Sequence, residues 1–204
     1  MADRVPLDFD PPVRQLRALL LGVGDDDMPA PTPCAEWTVG DLLDHIVDLT
    51  RAFTQAAQKL TEAPGTATPV PLPSAAHLPA HWRSRLPVLL EDLATAWKDP
   101  CAWTGSAQSG GSTMPAAAVG TAAVAELTLH GWDLARATCQ DFAADPRILE
   151  ALIEFLSQRH EAPSITLADE PTLLEQALML SGRDPRWRPR RRGEVSTRST
   201  TGAE

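Results

Sequence analysis

Residues 116–138 read AAAVGTAAVAELTLHGWDLARAT, and this stretch decides the fold. Wound at about 100° per residue, Val119, Val124, Leu127, Leu129, Trp132 and Leu134 point in several directions. A helix that is apolar nearly all round belongs in a protein interior. Yet Glu126, His130 and Asp133 interrupt it, and they fall within roughly 60° of one another on the helical wheel. The small residues Ala122, Ala123 and Ala137 share that face, so the helix carries a buried polar patch with space in front of it.

Burying an ionised carboxylate without a partner costs on the order of several kcal/mol, so something must compensate Glu126. A divalent cation does so, and Glu with His four residues later can place both ligand atoms on one ion. Metal sites in helical bundles draw their ligands from facing helices. His45 is the candidate third ligand, on the flank of another apolar stripe between Leu42 and Leu49. Two histidines and one carboxylate leave coordination positions open, which is the catalytic pattern of a metal site. Asp133 has two readings: a partner that orients the His130 imidazole, or an ion pair with Arg136 or Arg51.

Working outward, helical patterns account for the chain and no strand is expected. The first helix spans about Pro12 to Val23 and a loop follows to Pro33. The second has the clearest start: Thr38 as N-cap, Asp41 at the third helical position, and Trp37 placed to staple onto Leu42. It is expected to end near Leu60, before a Pro/Thr/Ala loop from Glu62 to Pro73. A third covers about Pro79 to Lys98, with a kink or late start at Pro87. The fourth is expected to begin at Ser112 or Thr113, with Pro115 in its first turn. A fifth runs from Pro146 to about His160, and a short sixth from Pro171 to Leu180 is closed by Gly182. Four substantial helices with polar connections predict an all-α protein, an antiparallel four-helix bundle with extra short C-terminal helices. The domain is expected to span residues 1–182, with an Arg-rich, disordered, solvated tail over residues 183–204.

The bulk numbers set limits on function. A chain of 204 residues fits one domain with a tail, and 43% apolar residues is ordinary for a globular protein. A formal net charge of -9 argues against a general nucleic-acid binder. The acidic N-terminus has no signal-peptide pattern, and Leu16 to Val23 is too short to span a bilayer. Three scattered cysteines, Cys34, Cys101 and Cys139, make neither a disulfide framework nor a zinc ribbon. The expectation is a cytoplasmic protein without membrane association. Cys34, just before a helix N-terminus, reads as a packed free thiol or as an activated one. His77, His81 and His160 read as solvated, and Trp37, Trp82, Trp97 and Trp132 as core.

Three segments carry a resemblance: PTPCAEWTVGDLLDHIVD at 31–48, AVAELTLHGWDLARATCQ at 123–140 and LSGRDPRW at 180–187. Together they resemble the N-terminal family of mycothiol-dependent maleylpyruvate isomerases. Within it they are similar to the actinobacterial-type single-domain metal-binding members, in the wider DinB-like superfamily. The likeness runs over about residues 10–188. It implies a DinB-like four-helix bundle with a His/Glu/His site for Zn2+, or for Ni2+ or another first-row metal. The W-x(7)-H segment assigns His45, and E-x(3)-H-G-W-D assigns Glu126 and His130. One departure is Cys139, where the family pattern has glycine.

In such relatives the metal activates a small thiol such as mycothiol or bacillithiol, because a bound cation lowers thiol pKa. The full isomerase adds a C-terminal domain that helps bind substrate and thiol, where this sequence has its Arg-rich stretch. The function expected here is therefore metal-dependent thiol transfer to, or isomerisation of, a small electrophile, with a low-molecular-weight thiol as cosubstrate. Two alternatives stay open: hydrolase or lyase chemistry with metal-bound water, and a non-catalytic small-molecule or metal-binding module. A monomer or homodimer acting on a small molecule is expected.

Overall fold

The structure, a computed structural model, describes residues 6–60, 72–109, 111–158 and 170–189. Most of the loop expected at 62–73, the end of the fifth helix at His160 and the tail from residue 190 onward lie outside the described residues. Within them the architecture is mostly helical, with six α-helices and one two-stranded hairpin. The helices are α1 (Asp10–Leu21), α2 (Val39–Ala57), α3 (Trp82–Trp97), α4 (Ala116–Ala137), α5 (Pro146–Ser157) and α6 (Leu173–Leu180). Strands β1 (Ser106–Ser109) and β2 (Ser112–Pro115) precede α4.

Helix α2 starts where its sequence dictates. Thr38 Oγ1 accepts the Asp41 backbone N–H at 3.3 Å, and Asp41 Oδ2 accepts the Thr38 N–H at 2.8 Å. This reciprocal box satisfies two donors that a helix N-terminus otherwise leaves orphaned. Its face of Val39, Leu42, Leu43, Ile46 and Phe53 is buried. Helix α2 packs on α3 and α4, and α1 packs on the same two helices from the other side. One continuous core results, and α4 is buried along almost its whole length. Gly120 permits that burial where α4 meets the aromatic cluster: a Cβ there would sit 2.6 Å from the Trp103 ring and 2.7 Å from Trp97.

The hairpin corrects the expectation that no strand exists and that α4 starts at Ser112 or Thr113. Ser106 pairs with Pro115 and Ala107 with Met114, and α4 begins only at Ala116. SAQS and STMP lack the apolar alternation that marks a strand in sequence. They pair because β1 packs against both α2 and α4, which cover it and bury Ala107. Pro87 also proves compatible with its helix, lying inside the second turn of α3, which starts at Trp82 rather than Pro79.

Three helices are followed by a residue of positive φ, the first being α2, with Lys59 at 56°. After α4, Cys139 takes a φ of 55°, the left-handed conformation that glycine adopts without cost. Helix α6 ends in a Schellman motif: Gly182 has a φ of 79°, its N–H reaches Met179 O at 2.9 Å, and the Arg183 N–H reaches Leu178 O at 2.9 Å. The turn at Gly182 reverses the chain and sends Arg183 back towards α4. The segment expected to open a solvated tail at residue 183 therefore starts with a side chain only 14% exposed.

Candidate metal centre

Three elements converge on the His130 ring. Helix α4 supplies Glu126, His130 and Asp133 from one face, as the wheel requires. Helix α2 supplies His45 from across the α2–α4 contact. The loop before α2 supplies Cys34 and Trp37. It is pinned by Thr32, whose hydroxyl donates to Cys34 O at 3.1 Å and to Trp37 O at 3.0 Å. It is closed by Glu36 at a φ of 69°.

On one side of the ring, His130 Nε2 lies 2.9 Å from Glu126 Oε2, and His45 Nε2 lies 3.8 Å from the same oxygen. The three ligand atoms all fall within 4.8 Å of one another. Two imidazole nitrogens and one carboxylate oxygen bound to a zinc ion at about 2.0–2.2 Å would stand roughly 3.3–3.5 Å apart in a tetrahedral set. The observed separations bracket that spacing, so this donor set fits a divalent cation. The side chain of Glu126 is 43% exposed and that of His45 is 28% exposed, which leaves this side reachable from solvent. Trp37 walls it, with ring centroids 4.8 Å from His45 and 6.0 Å from His130.

On the other side, His130 Nδ1 lies 2.9 Å from Asp133 Oδ2. A carboxylate only accepts, so Nδ1 carries the proton and donates it. Asp133 is fully buried and takes three further donors. Arg183 Nε donates to Oδ1 at 2.9 Å, Arg183 Nη2 to Oδ2 at 2.7 Å, and the Cys34 thiol to Oδ2 at 3.2 Å. Asp133 pairs with neither Arg136 nor Arg51. The guanidinium of Arg136 lies over the Trp132 ring and that of Arg51 reaches Asp48, so both spacing-based alternatives give way to a residue fifty positions away.

The electrostatics follow from this geometry. Burial by itself would raise the Glu126 carboxyl, yet hydrogen bonds from His130 and His45 hold it well below the usual carboxylate range. Burial would likewise lower His130, but its bonds to Asp133, Cys34 and Glu126 raise it well above an ordinary histidine. Asp133 is pushed up by burial and pulled down further by His130 and Arg183. Cys34, His130 and Asp133 also form a set with metal-ligand spacing. That position already holds a cation, because the Arg183 guanidinium occupies both Asp133 oxygens. His45, Glu126 and His130 are the candidate set that no such cation fills.

Comparison with known proteins agrees with this arrangement of helices. Residues 9–135 match the mycothiol maleylpyruvate isomerase N-terminal domain. The chain belongs to that family. Two uncharacterized proteins of Mycobacterium tuberculosis, from strains CDC 1551 and H37Rv, are each 29% identical over 157 residues, covering 75% of this chain and 80% of theirs. A crystal structure of a histidine-to-alanine mutant of mycothiol-dependent maleylpyruvate isomerase is similar at a TM-score of 0.51 and 19% identity. It covers 72% of this chain and 66% of that one, so the chain spans just under two thirds of that enzyme. At that identity the likeness speaks for the fold alone. Membership of the mycothiol maleylpyruvate isomerase family rests on residues 9–135, a span that includes His45, Glu126, His130 and Asp133 but ends before Arg183.

Three participants in the site are not assigned to it by sequence reasoning. Trp37 reads as core, but its ring is only partly buried and faces both histidines. Cys34, open between two readings, proves to be a hydrogen-bond donor to Asp133. Arg183 reads as tail; the signal that could have found it is Gly182, a helix-stopping glycine that dictates the direction of the next residue. His77 lies 3.7 Å from the buried Asp44, away from the ligand set, and His81 is exposed. No described helix is long and apolar enough to cross a membrane.

Proposed function

We propose that the chain is a metal-dependent enzyme in which His45, Glu126 and His130 hold one divalent ion, with zinc the best match to the donor set. A low-molecular-weight thiol of the mycothiol type would be activated there for transfer to, or isomerisation of, a small electrophile. The observation that carries the reading is the convergence of two imidazole nitrogens and one carboxylate on the half-open side of a buried histidine. Family membership supports the thiol, since the solved relative is named as mycothiol-dependent. The α1–α4 packing scheme, in which α1 and α2 each touch both α3 and α4, supports a DinB-like four-helix bundle as the scaffold.

When bound, the ion would lower the pKa of a thiol beside it and so raise the thiolate fraction at neutral pH. The chain's own residues prepare for this. Asp133 fixes the Nδ1–H form of His130, which points Nε2 at the open side with its lone pair available once its proton has left. Glu126 is ionised across the physiological range and supplies negative charge to a cationic partner. Trp37 gives the site an apolar wall against both histidine rings, which excludes water from that flank. The exposed edge of Glu126 marks the direction from which a small substrate enters.

The test is thiol consumption with a chromogenic electrophile such as 1-chloro-2,4-dinitrobenzene, using mycothiol and zinc-loaded, chelator-stripped and His45→Ala proteins. Consumption that requires zinc and is lost in His45→Ala is expected. Zinc-dependent loss of an electrophile without any thiol would replace the reading with hydrolysis or lyase chemistry. Zinc binding without turnover of any thiol or electrophile would leave a binding module.

A further inference from the structure

We infer that Arg183 is a positioning residue of the metal centre, acting through Asp133 on the orientation of His130. The inference rests on the proposed metal site and adds a residue outside the family-matched span. Asp133 must keep one carboxylate orientation to hold the His130 ring, and helix α4 alone does not fix it. A side chain three residues away on the same helix can turn about its own torsions and point either oxygen at Nδ1. Arg183 removes that freedom. Its two nitrogens engage both oxygens, at 2.9 Å and 2.7 Å, in the planar fork-to-carboxylate geometry that only a guanidinium provides.

The placement is built, not incidental. The capping box of Thr172 with Glu175 starts α6 and the Schellman turn at Gly182 ends it, so the backbone of Arg183 is hydrogen-bonded to Leu178 before its side chain reaches Asp133. The neighbouring cations behave differently among the described residues: Arg186 pairs with Asp184 in the open and Arg188 reaches a backbone carbonyl. A clamped carboxylate behind a metal-binding histidine sets ring orientation and ligand basicity, and loss of such partners typically weakens metal binding about 10- to 100-fold.

Zinc affinity should be measured by chelator competition on the full chain as wild type, Arg183→Ala, Arg183→Lys and Arg186→Ala, with thermal melts and the visible spectrum of the cobalt(II)-loaded forms. The expected result is about 10- to 100-fold weaker zinc binding in Arg183→Ala. Arg183→Lys, which restores charge but not the two-pronged contact, should recover part of it, and Arg186→Ala should match wild type. The cobalt band should shift in Arg183→Ala. Wild-type zinc affinity and an unchanged cobalt band in folded Arg183→Ala, even at a lower melting temperature, would reduce Arg183 to a folding role and overturn the inference while the metal reading stands. If Arg183→Ala does not fold, Arg183→Lys decides: several-fold weaker zinc binding supports the role and wild-type affinity overturns it. Failure of wild type itself to bind zinc would overturn both.

Discussion

The two sides of the His130 ring differ in everything except the atom type they present. Around Nε2 the partners are half exposed and loosely spaced, with His45 Nε2 still 3.8 Å from Glu126. Around Nδ1 the acceptor is fully buried and every donor lies at hydrogen-bond distance. The contrast separates two duties that one histidine cannot perform alone. A ligand that exchanges its proton for a cation needs solvent access, whereas a ligand held in one orientation needs a saturated, water-free partner. Substitutions on the open side should therefore remove the metal with little effect on folding, whereas substitutions on the closed side should cost folding stability as well as weaken the metal.

The strongest test of that division is Glu126→Ala. It should abolish stoichiometric zinc binding in elemental analysis, while the metal-free melt should change by about 1 kcal/mol or less, as for other exposed pairs. A metal-free protein that loses its cooperative melt would break the comparison. On the closed side, Asp133→Ala leaves Arg183 and His130 Nδ1 without their acceptor, and removing one partner of a buried pair costs about 3–5 kcal/mol. Urea unfolding of the metal-free protein should show that loss. A shift under about 1 kcal/mol would mean that water replaces the carboxylate and that the side is not closed.

Acidity sharpens the same contrast. In metal-free protein the raised pKa of His130 gives stability that is fully present below its unfolded value of about 6.5 and lost as pH rises through the folded value. Zinc must replace the proton on Nε2, so zinc affinity should rise over that same interval. Between about pH 6 and pH 9, melting temperatures should accordingly fall with a chelator present and rise, relative to it, with saturating zinc. Parallel trends with and without metal would show that His130 does not exchange its proton for the ion. The smallest effect lies outside both sides: Cys139→Gly should relieve a left-handed backbone and stabilise the protein by about 1 kcal/mol with zinc affinity unchanged.

How much is legible in the sequence varies with the distance over which the signal acts. Thr38 and Asp41 announce the start of α2 because a capping box is local chemistry, written within four residues. Glu126, His130 and Asp133 are legible as one face because helical periodicity fixes their relative angle. His45 is readable only through its flanking Leu42 and Leu49 and the resemblance of its segment to a family. The hairpin at 106–115 escapes, because SAQS and STMP carry no pattern of their own and are strands only under the cover of α2 and α4. The same holds for Trp37, whose role is set by which rings happen to face it.

By itself, then, the sequence determined the helices, their buried stripes and the identity of the groups that share the polar face of α4, since these follow from interactions within about a turn or two of chain. The tertiary structure alone decided which cation satisfies Asp133. Arg51, Arg136 and Arg183 all offer the same charge, and Arg136 lies nearest in sequence, on the same helix as Asp133. The choice went to Arg183 because the Gly182 turn and the packing of α5 and α6 deliver its guanidinium to both carboxylate oxygens at once. A bidentate bond inside a core depends on position to within a few tenths of an ångström, and only the assembled fold specifies position that finely.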